Sequence, residues 1–406
     1  MKQRFLRIIR WQYFWLCLML ISTVIMHVTV LDKIKTPILD EVYYAGHYAE
    51  KQGDLEYGDA YNIISLHNDA RPEHPPLAKL FIVAGIETLG DNPWGWRIPS
   101  VVMGTVAIAL FFFICRGLKM PLLATNLATF FLAFDNLNFM FSGIAMLDVF
   151  MFATMLIFFL LYIYRQYIAS GIFIGIAATT KLFAVMGAPT LFIHWLFDRP
   201  MRSKRFIFTV ILAPISFLAA VCGFDAIINH RFANPLIHIK DMLSLSTSLT
   251  FANVTHPALS RPWEWLLSYR PMAFAYSSFS PNWLGGYTAA VGVSLWVLMI
   301  PILLYMTYRT VKQRSSAALF GVAWFVGTFL IWIPISIATN RVSFVYYFYP
   351  TIGALCLGLG MGLHELITWM SAKRKRVKIP IWIGISVIIL AHLGTLVILS
   401  PVFIRS

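Results

Sequence analysis

About eleven apolar runs, separated by short clusters of Lys and Arg, leave this chain little choice but a bundle of membrane helices. They fall at about 11–31, 98–115, 120–134, 146–164, 167–180, 182–197, 206–224, 285–308, 317–338, 344–364 and 379–400, the fifth and sixth being short. Hydrophobic residues make up 59% of the chain and charged ones only 12%, which excludes an ordinary soluble domain.

The net charge of +14 does not point to nucleic acid, because the cations are spread among the connections between spans rather than gathered on one soluble face. With the N-terminus inside, the clusters Lys2–Arg10, Arg116–Lys119, Arg165, Arg199–Arg205, Arg309–Arg314 and Lys373–Lys378 all fall on the inner side. That alternation predicts an N-in, C-out arrangement. The first run has a basic flank but no small-x-small cleavage pattern after it, so it reads as an uncleaved anchor. Cys17, Cys115, Cys222 and Cys356 all lie in apolar runs and read as small core residues, without metal spacing or a disulfide framework.

Two connections are too long to be turns, 32–97 and 225–284, and both fall on the outer side, where function is therefore expected. In the first, Thr36 and Pro37 read as the N-cap and first position of a helix that carries Asp40 and Glu41 in or near its first turn and stops at Gly53. Further on, Pro75-Pro76 precede the run Leu80 to Leu89, too short to cross a bilayer and so expected as an interfacial amphipathic helix. His47, His67 and His74 match no ligand template, and no metal is expected. The second loop carries His256-Pro257 and Arg261-Pro262-Trp263-Glu264-Trp265, a composition that suits carbohydrate or headgroup contact and an aromatic belt equally.

Charges at the outer membrane boundary set the chemistry. Asp40, Glu41, Arg97, Asp135, Asp148, Lys181 and Arg341 all fall near the outer face under this topology. Singly each reads as a snorkelling side chain or one half of an interhelical ion pair. Together, carboxylates beside cations suit a lipid-linked phosphate donor: the cations bind the phosphate and stabilise its charge as it leaves, and a carboxylate takes the acceptor's proton.

At these residues the chain resembles the protein O-mannosyltransferases, the dolichyl-phosphate-mannose–protein mannosyltransferases of the GT-C fold. The matching segments, in order, are Asp40-Glu41-Val42-Tyr43, His74-Pro75-Pro76-Leu77-Ala78-Lys79, Arg97-Ile98-Pro99-Ser100, Phe134-Asp135-Asn136, Ala145-Met146-Leu147-Asp148 and Thr180-Lys181, then His256-Pro257 with Arg261 to Trp265, and Arg341 to Pro350. The resemblance covers about 37–365. It departs from the family at Gly143, where an Arg is usual, at Phe348, where Tyr-His-Tyr is usual, and in having no large soluble domain inserted in the second outer loop.

The resemblance implies one all-α integral membrane GT-C domain over 1–406, with a catalytic outer loop at 32–97, a second outer loop at 225–284 and a four-helix segment at 285–406. It implies an inverting transfer of mannose from a polyprenyl or dolichyl phosphate to Ser or Thr hydroxyls of an acceptor protein, with no cofactor beyond the lipid-linked co-substrate. Asp40 is then the general base and Glu41 its helper; Arg97, Lys181 and Arg341 bind phosphate; His74, Asp135 and Asp148 support them. The expected setting is the lipid bilayer, in a prokaryote the plasma membrane with the site facing out, with no nucleic acid and with pairing of two chains as a family habit. The rival readings are another lipid-linked sugar or a lipid acceptor on the same fold, and a transporter or non-catalytic membrane protein. A transporter would be expected to show internal repeats and broken helices with polar groups near the bilayer midplane, whereas this chain shows no convincing repeat and few midplane charges.

Overall fold

The computed structural model describes residues 11–45, 58–69, 71, 73–230, 234–275 and 286–403. His47 and the expected helix stop at Gly53 lie outside the described residues.

Each apolar run contains a helix. The chain opens with α1 (Phe14–Val28) and passes through three loop helices, α2 (Glu41–Tyr44), α3 (Asp59–Leu66) and α4 (Leu77–Leu89). The bundle follows with α5 (Pro93–Gly117), α6 (Leu122–Ala133), α7 (Asn136–Ser142), α8 (Leu147–Ile163), α9 (Tyr167–Ala178), a tight turn Leu182–Gly187 running into α10 (Ala188–Phe197), and α11 (Phe206–Asn229). The second long connection holds α12 (Pro235–Ser248), α13 (Glu264–Leu267) and an antiparallel pair, β1 (Met272–Ala275) with β2 (Tyr287–Ala289). The chain then returns to the bundle as α14 (Val293–Gln313), α15 (Ser316–Phe325), α16 (Trp332–Thr339), the 3-10 segment Val345–Thr351, α17 (Ile352–Ser371) and α18 (Lys375–Leu399).

By length and composition six helical stretches among the described residues can each cross a membrane, a seventh if the bent pair α7–α8 counts as one, and four shorter apolar helices accompany them. The π-turn Val326–Leu330 joins α15 to α16 within one such stretch. The core is built around α8, whose Val149, Phe150, Phe152, Phe158 and Phe159 are fully buried. The four cysteines are free thiols, Cys115 and Cys356 buried.

The interface segments are tied to the bundle by backbone chemistry. Asn92 caps α5 by accepting from Trp94 N at 2.9 Å, and Pro93 holds its first turn. The helix expected from Leu80 begins three residues earlier, at Leu77, whose N–H donates to Thr179 O at 3.0 Å across from the end of α9. It packs on α5 so closely that a Cβ on Gly85 would meet Gly95 O at 2.2 Å.

One expectation fails outright. No helix starts at Thr36: α2 is a single turn from Glu41 to Tyr44, with Asp40 at its N-cap position. Thr36 O, which a helix would offer to Asp40 N–H, accepts instead from Arg97 Nη2 at 3.0 Å, and Leu39 turns the chain with a left-handed φ of 49°.

Candidate active site

Glu41 and Arg97 form the rigid centre of the first loop. Arg97 donates from Nε and Nη2 to the Glu41 carboxylate (2.9 and 2.8 Å), from Nη1 to Leu31 O and Ile34 O (2.6 and 2.7 Å), and from Nη2 to Thr36 O. All five guanidinium N–H groups are thus committed, and both side chains are fully buried. Glu41 also accepts from Ile38 N at 2.7 Å and from Ala145 N at 2.6 Å. Ala145 lies in the break where α7 and α8 meet at 110°, so this carboxylate satisfies a backbone donor that the broken helix leaves without a partner.

The neighbouring Asp40 is different in kind. Its carboxylate is half-buried and has neither a hydrogen-bond nor an ion-pair partner among the described residues. Burial, offset by Lys181 and reinforced by Asp148, pushes its pKa up to about 6. Two adjacent acids are therefore divided by their surroundings into a fixed structural ion and an unengaged base.

A cavity of about 250 Å³ has a wall that includes His74, Asp148, Lys181, Arg341 and Tyr347, and the charges of its Lys181 and Asp148 reach Asp40. Asp148, in the first turn of α8, accepts both its bonds from Lys181 Nζ at 2.9 Å each, and that ammonium lies 5.7 Å from the Tyr347 ring centroid. The Arg341 guanidinium is half-buried and makes no hydrogen bond or ion pair with any described residue. Burial, then the nearby Lys181, Lys79 and Arg341, hold His74 well below the usual histidine range, so at neutral pH it is an uncharged hydrogen-bonding ring. Burial and the surrounding acids hold the Tyr44 phenol protonated; its ring lies 6.4 Å from that of His74.

A second, apolar groove of about 610 Å³ runs between α9, α10 and α11 and shares Leu182 and Val185 with the cavity. A polar pocket with one fixed and one unengaged cation thus lies next to an apolar groove. Such a site can hold a phosphate on an apolar tail while a carboxylate waits beside it.

Of the residues singled out from sequence, His74, Asp148, Lys181 and Arg341 are brought to one cavity, and Asp40, though not in its wall, lies within the electrostatic reach of its Lys181 and Asp148. Arg97 is not among them: it lies with Glu41 in the loop's ion pair and does not line this cavity. Asp135 is elsewhere too, buried at the N-cap of α7, where it accepts from Leu137 N at 2.9 Å and Gly292 N at 3.3 Å and so ties α7 to the start of α14. Among the described residues no group of three His, Cys, Asp or Glu side chains is arranged to hold a metal ion.

The two single-residue departures from the family pattern acquire a physical reading. The space a side chain at Gly143 would enter is taken by the His27 ring, 3.2 Å from where a Cβ would sit; that ring stacks on Phe139 at 4.1 Å. Phe348 is fully buried against Phe325 and Phe329, so its replacement of a histidine alters the core and not the cavity wall.

Sequence reasoning left the Lys79 network without a role. Lys79 is fully buried, donates to Asp69 at 2.6 Å and Arg71 O at 2.7 Å, and pairs with Asp59 at 3.0 Å; Arg71 closes the ring on Asp59, also at 3.0 Å. The one available signal was the mixed-sign set Asp59, Asp69, Arg71, Glu73 and Lys79, which on sequence alone also describes a solvated loop.

Residues 73–223 match the family described as dolichyl-phosphate-mannose-protein mannosyltransferase. A polyprenol-phosphate-mannose–protein mannosyltransferase of Mycolicibacterium smegmatis is 25% identical over 81% of this chain and 76% of its own length. A protein of the same description from Corynebacterium glutamicum is 22% identical over 78% of this chain and 74% of its own. Among solved structures, the S. cerevisiae protein O-mannosyltransferase Pmt1-Pmt2 complex bound to the sugar donor superposes with a TM-score of 0.69 at 11% identity, covering 95% of this chain and 88% of that one. ArnT from Cupriavidus metallidurans bound to undecaprenyl phosphate gives 0.61 at 15% identity, over 94% of this chain and 65% of that one.

The fold is all-helical, and its solved neighbours are the GT-C enzymes Pmt1-Pmt2 and ArnT. In sequence the chain is a relative of the dolichyl-phosphate-mannose–protein mannosyltransferases, the family its motifs resembled.

Proposed function

We propose that this protein moves mannose from a polyprenyl-phosphate carrier to Ser or Thr hydroxyls of proteins at the outer face of the membrane, inverting the anomeric centre. The observation that carries this reading is the unengaged Asp40 carboxylate beside a cavity holding Lys181 and Arg341. Asp40 takes the proton of the acceptor hydroxyl as its oxygen attacks the sugar's anomeric carbon. The bond from that carbon to the phosphate oxygen breaks, and the electron pair leaves with the lipid phosphate, whose charge Lys181 and Arg341 stabilise. No general acid is needed, because the leaving group is already a stable anion. Asp148 holds Lys181 in place, His74 offers a neutral hydrogen bond, and the groove along α9–α11 takes the isoprenoid tail.

In this reading Arg97 and Glu41 hold the loop and do not bind the phosphate, and Asp135 acts on the helix packing alone. The lipid-linked sugar is the co-substrate, with no further cofactor. The chain forms one domain that crosses the membrane about eleven times from an inner N-terminus, presenting 32–97 and 225–284 outside and packing 285–406 as four helices, in a prokaryote at the plasma membrane. The alternating basic clusters support this topology. Two chains pair, as the family habit implies.

Purified protein supplied with mannose-labelled polyprenyl phosphate and a Ser/Thr-containing peptide tests the reading. Label moving to the peptide is the expected result. Label moving only to lipid, or no transfer without an ion gradient, overturns it in favour of a lipid acceptor or a transporter respectively.

A further inference from the structure

Arg341 presents its side chain to the cavity, yet its main chain is held by the second outer loop. Thr250 and Arg341 form an antiparallel bridge, flanked by Phe251 N donating to Asn340 O at 3.0 Å and Val342 N donating to Leu249 O at 3.1 Å. Arg261 closes this bridge from outside. Its guanidinium lies 3.7 Å over the Phe251 ring on one strand and donates to Asn340 Oδ1 at 2.6 Å on the other. Asn340 ends α16 in a left-handed conformation, φ 49°, which places its side chain within reach. One step further on, Ser260 N donates to Ser343 O at 3.1 Å and Ser343 Oγ returns a bond to Ser260 O at 2.7 Å.

We infer that Arg261 and Asn340 are positioning residues for donor binding: the second outer loop acts as a strap that fixes the direction in which Arg341 enters the cavity. This rests on the reading of that cavity as the donor-phosphate site. Without the strap the backbone after α16 would be free to vary the direction in which the Arg341 side chain leaves it, and binding phosphate would then have to fix that direction. The strap spends that entropy in advance, so its loss weakens donor binding and leaves the acceptor and the chemical step untouched. Neither Arg261 nor Asn340 lines the cavity.

The test uses the full-length protein with mannose-labelled polyprenyl phosphate and acceptor peptide, measuring KM for each substrate and kcat. Asn340→Gly keeps the left-handed backbone and removes Oδ1; Arg261→Ala removes the donor and the stacking ring partner, and serves alone if the first variant does not fold. Each is expected to raise donor KM about tenfold with acceptor KM and kcat within about twofold, and the double variant to do no worse than the stronger single one. Arg341→Ala is the control, since it must raise donor KM if the cavity is the donor site. An unchanged donor KM in the strap variants with a raised one in Arg341→Ala overturns the strap alone. An unchanged donor KM in Arg341→Ala overturns the reading beneath it.

Discussion

Two carboxylates one residue apart behave oppositely, and only their partners explain why. Glu41 is locked by Arg97 and by two backbone donors, whereas Asp40 has no partner among the described residues. Removing one member of a fully buried ion pair leaves the other charge without compensation, a cost of about 3–5 kcal/mol. Glu41→Gln and Arg97→Ala should therefore lower the unfolding midpoint and the yield of folded protein in proportion. Arg97→Lys should not rescue them, because an ammonium cannot serve the carboxylate and three carbonyls together. A thermal melt checks this, and an unshifted midpoint in Arg97→Ala would remove the structural role. The raised pKa of Asp40 fixes a direction with pH. The base works ionised, so turnover should fall as pH drops through about 6 and level off above it. A pH profile of kcat flat across that range would dissociate Asp40 from the rate. The sequence placed both acids at the boundary, but it could not divide them, since the division depends on Arg97, 56 residues on, and Ala145, 104 residues on.

At the scale of elements, helices were legible where the apolar pattern is long, as in α5 and α18, because a span of that length has few alternatives. The first loop was not. Thr36-Pro37 carries a good helix-start signal, and the tertiary demand of Arg97 for the carbonyls of Leu31, Ile34 and Thr36 outweighs it. The buried Lys79 was equally hidden, since nothing local tells a solvated lysine from one satisfied by Asp59 and Asp69. Lys79→Met keeps the length of the side chain and discards its charge, leaving those two acids facing each other. It should loosen the segment 59–79 while sparing the bundle. Hydrogen exchange checks this through faster exchange in α3 and the start of α4 with α8 unchanged; equal protection throughout would show that the network does not organise the loop.

The whole molecule sets a polar cavity next to an apolar groove, with Leu182 and Val185 in the walls of both, the combination that a sugar phosphate on an isoprenoid requires. If the groove carries the tail, shortening the isoprenoid should raise donor KM. Val210→Trp, which narrows the groove at an exposed wall position, should do the same about tenfold with acceptor KM unchanged. Kinetics with donors of graded chain length test this, and a KM independent of length would place the tail elsewhere. The groove could not be read from sequence, because its lining residues are the same apolar types that face lipid everywhere on this protein.

The central claim is that Asp40 takes the acceptor's proton beside cations that hold the donor phosphate. The most direct measurement is single-turnover transfer of labelled mannose by Asp40→Asn, with donor binding measured on the same sample. The account predicts donor bound with an affinity near that of the unmodified protein and transfer reduced by a factor on the order of a thousand or more. Transfer at a near-normal rate would contradict it.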